Sequence, residues 1–487
     1  MNMFDICAES SRCLLCHNAP CDAFCKHHLQ PARAIRAIRF DNETTASKWL
    51  SEACINCDAP CEKHCVHSDK PIQINEIAKT VTSRYSNLPD IDNVDLSIDF
   101  CGVRCENPFF LASSAICTNY EMVARAFEQG WGGVVFKTIG LDEIHEVSPR
   151  FDAVKNHSGQ PFFGFRNMEQ ISELSADENF DILRRLKQDY PSKIIVASIM
   201  GQTDNEWITL AKRAEQSGAD IIELNFSCPQ MKKSGMGSDV GQNVRLVKKF
   251  TEAVKRNVSR PVIAKMTPNI TDICKPALAS YSGGADGIAA INTIKSVTLS
   301  ESALVNGKRT ISGYSGKAVK PIALRFIIDI ATDQEIRKTN KDLQISGIGG
   351  IETWRDALDF IQLGCRNVQV CTSVMQYGYR IIDDLILGMK TYMSQKGIKN
   401  LSDLVGSEIP SFGKPSDLDR STKVFPRWNR EACVGCGRCY LACSDAGHQA
   451  IVFDEKRTPK LIGANCVGCH LCRLVCPTGA ILTSNRM

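Results

Sequence analysis

No run of about 18 apolar residues occurs anywhere in this 487-residue sequence, so no segment is expected to cross a bilayer as a helix. Met1 to Ser11 has neither a basic flank nor an apolar core, so a secretory leader is not expected and a cytoplasmic location is. Charge of one sign is scarce as well. Lys and Arg total 58 against 54 Asp and Glu, and the net +4 is too small at this length to point to nucleic acid. A Gly-x-Gly-x-x-Gly turn after a strand is also missing, which argues against an open dinucleotide-binding sheet. The nearest approach, Gly235-Met236-Gly237, follows a loop, and Gly241 comes one place too late.

Cysteine, by contrast, is abundant. Of 24, eight lie between Cys13 and Cys65 and eight between Cys433 and Cys476. Clusters at both ends without a leader argue for metal centres in a reducing compartment and against disulfides. The first set reads Cys13-x2-Cys16-x4-Cys21-x3-Cys25, then Cys54-x2-Cys57-x3-Cys61-x3-Cys65. Four thiolates so closely spaced suit an iron-sulfur cluster, because a short turn of chain can present successive sulfurs to different irons. Two sets imply two clusters. Zinc is the competing reading, with His17, His27, His28, His64 and His67 nearby, although zinc sites usually draw two ligands from each of two separated pairs. Spacing does not assign the fourth ligand of either set.

Eight strand-then-helix units fill residues 108–395, the number a closed (β/α)8 barrel requires; a doubly wound open sheet is the alternative. The expected strands are Phe109 to Ala112, Gly133 to Lys137, Ile194 to Ile199, Asp220 to Asn225, Val262 to Lys265, Gly287 to Ile291, Gln344 to Gly347 and Asn367 to Cys371. A tight turn at Cys101-Gly102 predicts a hairpin capping the bottom of the barrel.

Such a barrel would gather its strand ends at one mouth: Ser113, Lys137, Asn225, Lys265, Asn292-Thr293, Ile348-Gly349-Gly350 and Cys371-Thr372-Ser373. Glycines after strand 7 and hydroxyls after strand 8 suit a phosphate, and two lysines suit a flavin whose reduced ring is anionic. Asn225-Phe226-Ser227-Cys228-Pro229 follows strand 4, which makes Cys228 the candidate proton carrier. The plainer reading of a lone Cys is a small buried hydrophobe.

After a polar stretch at 396–430 come Cys433-x2-Cys436-x2-Cys439-x3-Cys443 and Cys466-x2-Cys469-x2-Cys472-x3-Cys476-Pro477, the bacterial ferredoxin spacing twice over. By that logic one 4Fe-4S cluster takes Cys433, Cys436, Cys439 and Cys476, and the other Cys466, Cys469, Cys472 and Cys443. Ser444 stands where Pro usually follows. The expected domains are therefore an iron-sulfur segment at 1–80, a linker and hairpin at 81–107, the barrel at 108–395, a linker at 396–430 and a ferredoxin-like domain at 431–487.

From about residue 95 onward the chain resembles the NAD-dependent dihydropyrimidine dehydrogenase family. The resemblance rests on Gly132-Gly133-Val134-Val135-Phe136-Lys137-Thr138, Arg166-Asn167-Met168-Glu169, the Asn225–Pro229 loop, Ala264-Lys265-Met266-Thr267-Pro268-Asn269, Ala290-Ile291-Asn292-Thr293, Ser312-Gly313-Tyr314-Ser315-Gly316 and Gly347-Ile348-Gly349-Gly350. It implies that FMN exchanges hydride with uracil or thymine while Cys228 handles the ring proton. It further implies that Asn167, Glu169, Asn225, Ser227, Asn292 and Thr293 bind the pyrimidine. Ser113, Lys137, Lys265, Gly316, Gly349, Gly350, Cys371 and Thr372 would then hold FMN. The Cys13–Cys25 motif resembles the iron-sulfur front end of the family's flavoprotein partner and of its single-chain members. On that basis this chain would carry all the clusters, and a separate FAD- and NAD(P)-binding subunit would complete a hetero-oligomer or dimer. A dihydroorotate dehydrogenase-like enzyme is the nearest rival, disfavoured because Glu169 would repel a substrate carboxylate. A non-catalytic electron-transfer subunit is the rival of another class.

Overall fold

The computed structural model describes residues 5–85, 88–154, 164–231, 235–299, 304–340 and 342–483. Its apolar runs form eight parallel strands: β1 Phe109–Leu111, β2 Gly133–Val135, β3 Ile194–Ile199, β4 Ile221–Asn225, β5 Val262–Lys265, β6 Gly287–Ala290, β7 Ile345–Ile348 and β8 Cys365–Val370. Every residue of β3, β4 and β5 is buried, as strands covered on both faces require. Neighbours pair in chain order, and β8 closes onto β1 with Val368 opposite Phe109. The closed barrel excludes the open sheet.

The helices between strands are α1 Tyr120–Glu128, α2 Ala176–Asp189, α3 Asp204–Gln216, α4 Val244–Lys255, α5 Cys274–Ser282, α6 Lys320–Thr332, α7 Trp354–Gln362 and α8 Ile381–Gln395. Several start where a side chain can accept from free backbone N–H groups, as Ser175 does for Glu178 and Asn243 for Leu246. Beneath the barrel, Ile98–Phe100 and Val103–Cys105 form the expected hairpin across Cys101 and Gly102, whose φ values of 53° and 77° define the turn. The Cys101 amide donates to Gln344 Oε1 at 2.9 Å, closing the hairpin against the N-terminal end of β7.

An antiparallel sheet that sequence reasoning missed stands over the mouth, in the order Ile294–Ser296, Ser312–Ser315, Gly164–Asn167, Phe151–Val154. Its arms leave the barrel after β2 and β6, and Asn167 pairs with Gly313.

Contacts divide the chain into Met1–Ile409 and Pro410–Met487. In the first unit the cysteine-rich N-terminus builds its own core from helices Pro31–Arg39 and Ile74–Arg84, with Ile35, Ile38, Ile77 and Val81 inside. The second of these helices runs across residue 80 into the stretch read as linker. Residues 396–409 likewise stay with the barrel: Asp95 N donates to Lys399 O at 2.8 Å, and Leu401 and Leu404 are buried. In the second unit Pro426–Trp428 pairs with Ile481–Thr483 and Ile451–Phe453 with Pro459–Leu461, around helix Arg438–Ala446. Among the described residues no helix is long and apolar enough to cross a membrane.

The N-terminal segment docks on α7 through Asp41 O, which accepts from Trp354 Nε1 at 2.9 Å, and on α8 through Arg36, whose guanidinium pairs with Asp384 at 2.8 Å, and Asn42, which donates to Asp384 O at 2.9 Å. Burial lifts the Asp384 pKa to about 7, against the lowering effect of Arg36. The folded state thus holds that proton more tightly than the unfolded chain. The contribution is complete below about pH 4 and is lost as pH rises toward 7. Arg36→Leu leaves the carboxylate buried without its cation and is expected to cost ~3–5 kcal/mol at pH 8 in denaturant unfolding. The cost should shrink at pH 5, where a proton replaces the guanidinium; an equal loss at both pH values would show that the pair does not govern docking.

Candidate active site

At the C-terminal ends of the strands lies a cleft of about 960 Å³, open to solvent. Of the sequence-derived mouth residues, Ser113, Lys137, Asn167, Glu169, Asn225, Cys228, Lys265, Asn292, Thr293, Gly316, Gly349, Gly350, Cys371 and Thr372 all line it. Ser227 does not line it. It is wholly buried, where its hydroxyl donates to Asn225 Oδ1 at 2.7 Å and accepts from Asn292 Nδ2 at 2.8 Å. It therefore links and orients the two amide side chains.

Thr138, which sequence reasoning passed over, joins the other strand ends. Its hydroxyl is 3.1 Å from Ser113 Oγ and 2.9 Å from Ser198 Oγ, and it accepts from Asn225 Nδ2 at 2.9 Å. Ser198 continues the chain by donating to Glu223 Oε1 at 2.9 Å. Glu223, on β4 and fully buried, faces Lys265 Nζ at 3.7 Å and keeps its other oxygen without a hydrogen-bond partner. Lys137 Nζ sits 2.9 Å from Glu169 Oε2, and Arg150 approaches the other oxygen of Glu169 at 3.3 Å. Each mouth lysine thus has a carboxylate partner, Glu223 buried and Glu169 half-buried. Asn225 and Lys265 are register partners at the ends of β4 and β5, which fixes amide and ammonium side by side.

Asn167 enters from the antiparallel sheet, where Gln230 Nε2 binds its carbonyl at 2.6 Å and ties that sheet to the Cys228 loop. Beneath the loop, Gly237 and Gly241 pack so closely that a Cβ would lie 2.4 Å from Cys228 O and 2.0 Å from Phe226 O. The glycine run that failed as a dinucleotide fingerprint therefore shapes the loop. Cys228 is buried, and burial raises its pKa against the lowering effects of the Gln230 backbone N–H and Lys137. The sulfur is held as a thiol, a form that can donate a proton.

At the other end of the cleft lie Gly316, Gly349 and Gly350, the last two packed closely against the start of α6. A Cβ on Gly350, at φ +77°, would lie 2.8 Å from Lys320 N. Ser315 and Thr372 hydroxyls meet at 3.0 Å, and Cys371 Sγ lies 3.2 Å from Ser114 Oγ. Gln369, inside β8, donates to Ser346 Oγ at 2.9 Å and presents a buried carbonyl oxygen with no protein donor.

Among the described residues no three ligating side chains gather as for a single metal ion; the cysteines ring cavities instead. One of about 400 Å³ is lined by Cys13, Cys16, Cys21 and Cys65. Cys25 acts electrostatically on Cys54 and Cys61, with Cys57 also influencing both. In the second unit, cavities of about 310 and 360 Å³ are lined by Cys433, Cys436, Cys439 and Cys476, and by Cys443, Cys466, Cys469 and Cys472.

Residues 95–393 match the dihydroorotate dehydrogenase family and residues 427–483 a 4Fe-4S dicluster domain. The chain is similar to the NAD-dependent dihydropyrimidine dehydrogenase subunit PreA of Escherichia coli, 55% identical over 395 residues, which is 80% of this chain and 95% of that one. A chloroplastic dihydropyrimidine dehydrogenase (NADP+) of Arabidopsis thaliana is 39% identical over 343 residues, 68% and 80% of the two chains. The catalytic subunit of dihydroorotate dehydrogenase B from Pyrococcus horikoshii is 36% identical over 322 residues, 64% and 97% of the two. Among solved structures, dihydroorotate dehydrogenase from Eimeria tenella in complex with ferulenol shares the fold at 20% identity and a TM-score of 0.53, covering 68% and 93%.

Because Thr138 holds three neighbours through one hydroxyl, Thr138→Val keeps the shape and strands their polar groups. A loss of ~1–3 kcal/mol in thermal unfolding is expected. A stability unchanged within error would mean that the network is not closed through Thr138.

Proposed function

Since this chain belongs to the dihydroorotate dehydrogenase family and, within it, to the dihydropyrimidine dehydrogenases, we propose that it interconverts uracil or thymine with the 5,6-dihydropyrimidine, exchanging electrons through iron-sulfur clusters with an NAD(P)-linked flavoprotein subunit. The observation that carries this reading is the pairing of a buried thiol with amide and carboxylate groups in one cleft beside two lysines.

The cleft suits FMN. Gly316, Gly349 and Gly350 line the cleft with backbone free of side chains, beside the Ser315 and Thr372 hydroxyls, which suits a phosphate. Lys137, Lys265 and the unpartnered carbonyl of Gln369 offer cations and an acceptor to a ring bearing both carbonyls and an N–H. FMN, when bound, supplies the hydride exchanged at carbon 6 of the pyrimidine.

Cys228 delivers the proton to carbon 5 in reduction and removes it in oxidation. Asn167, Asn225 and Asn292 carry both donor and acceptor atoms, and Thr293 a hydroxyl, so they can meet the N–H and carbonyl edges of the pyrimidine; Glu169 adds an acceptor for an N–H. Ser227, held between Asn225 and Asn292, keeps those amides from rotating. Cys228 is buried in the cleft wall, so a pyrimidine seated there can take the proton directly from the thiol.

For the cysteines we propose exchange between motifs at both ends. Cys65 completes a cluster with Cys13, Cys16 and Cys21, and Cys25 completes one with Cys54, Cys57 and Cys61. In the dicluster domain Cys476 joins Cys433, Cys436 and Cys439, while Cys443 joins Cys466, Cys469 and Cys472. Four 4Fe-4S clusters result. The shared lining of three cavities supports three of these groups, and the fourth takes the cysteines that remain at the N-terminal end.

Glu169, half-buried between Lys137 and Arg150, can accept from a pyrimidine N–H, and the similarity to dihydropyrimidine dehydrogenases favours a neutral pyrimidine over dihydroorotate. Oxidation of dihydroorotate but not of dihydrouracil by the purified protein would reverse that choice. Cys228→Ala is expected to lower pyrimidine turnover by about 10²- to 10⁴-fold while the flavin spectrum persists; loss of flavin would make the residue structural. Because burial raises its pKa, reduction of uracil should hold steady through neutral pH and decline only above the ordinary thiol range, the proton donor being lost on the alkaline side. A decline beginning below pH 8 in kcat would contradict that assignment.

A further inference from the structure

Two buried ring nitrogen groups in the C-terminal unit lack a hydrogen-bond partner, those of Trp428 and His470. Each ring lines one cysteine cavity: Trp428 the one with Cys433, Cys436, Cys439 and Cys476, His470 the one with Cys443, Cys466, Cys469 and Cys472. A histidine nitrogen can donate or accept according to its tautomer, so His470 alone decides nothing. An indole nitrogen can only donate. A donor sealed from water and left without an acceptor is costly, so its placement against a cavity ringed by sulfur needs a reason.

Strand pairing supplies the rigidity. Trp428 ends the strand Pro426–Trp428 opposite Ile481, and Arg430 lies 6.0 Å from its ring centre on the side chain's flank. The indole nitrogen meets no hydrogen-bond acceptor in the chain itself, while the cavity its ring lines is edged by the sulfurs of Cys433, Cys436, Cys439 and Cys476.

We propose that Trp428 directs its indole N–H at a sulfur of the cluster held in that cavity and so raises the cluster's reduction potential above what the same four thiolates would give without it. Reduction adds one electron to the cluster and increases the negative charge on its sulfurs. A donor to sulfur becomes stronger as that charge grows and so stabilises the reduced form, and no proton changes place. The two clusters of this domain then differ in potential because one faces an obligate donor and the other an imidazole.

The inference rests on the cavity being a 4Fe-4S site, and the experiment separates the two. Trp428→Phe in the full-length holoprotein keeps an apolar ring and removes the N–H. A redox titration followed by electron paramagnetic resonance should show one cluster's reduced-to-oxidised ratio at fixed poise falling about tenfold, which is 59 mV for a one-electron couple, with the other cluster unmoved. An unchanged midpoint overturns the proposal. Should the variant fail to retain its cluster, the wild-type protein labelled at the indole nitrogen decides: hyperfine coupling of that nitrogen to one reduced cluster supports the bond, and its absence overturns it. Cys433→Ser tests the premise alone, since an unaltered cluster spectrum would remove the site and the inference with it.

Discussion

Two ammonium groups kept almost dry at the open end of a barrel impose most of the order seen at this site. Lys137 is 6% exposed and Lys265 3%. A buried charge without a partner costs several kcal/mol, so each lysine demands a carboxylate, and Glu169 and Glu223 answer. Those carboxylates need partners in turn. Glu223 takes a hydroxyl from Ser198, Ser198 meets Thr138, and Thr138 reaches Ser113 and Asn225. A charge requirement on β2 and β5 is thereby passed across the ends of β1, β3 and β4. Asn225 and Asn292 inherit fixed orientations from this chain of demands, through Ser227, before any ligand arrives.

The barrel was legible because its strands are apolar runs separated by amphipathic helices. Ile194–Ile199 and Val262–Lys265 follow directly from composition, and covering by helices leaves no ambiguity about burial. The antiparallel sheet over the mouth was not legible, because its strands are three or four residues long and partly polar, and they pair across great sequence separation. Nothing local marks Gly164–Asn167 as the partner of Ser312–Ser315. Lys396 onward read as linker because it is polar, yet Leu401 and Leu404 are enough to hold it to the barrel.

Within the site, end-of-strand position found residues that line the cleft. It overlooked Thr138 and Gln369, which also line the cleft, and Glu223 behind them. Thr138, Glu223 and Gln369 lie in or beside strands whose period of two does not tell which alternate side chain meets the mouth and which fills the barrel. Ser227 shows the converse: adjacent to Cys228 in a recognisable motif, it serves the amides and not the cleft surface. The failed glycine fingerprint was also informative once its packing was visible, since Gly237 and Gly241 are needed for close approach to the loop's carbonyls.

The cysteine cavities draw on both motifs of a pair, Cys65 with Cys13 to Cys21 and Cys476 with Cys433 to Cys439. In a chain made from its N-terminus, such a cavity cannot close until its most distant member has emerged. The N-terminal cavity is complete soon after Cys65 leaves the ribosome, before any barrel strand exists. The C-terminal cavity waits for Cys476, more than 40 residues after Cys433 and long after the barrel has been made. Closure of each cavity is thereby tied to the direction of synthesis, and a chain that stops before Cys476 lacks the thiol that completes the C-terminal cavity while keeping the front one intact.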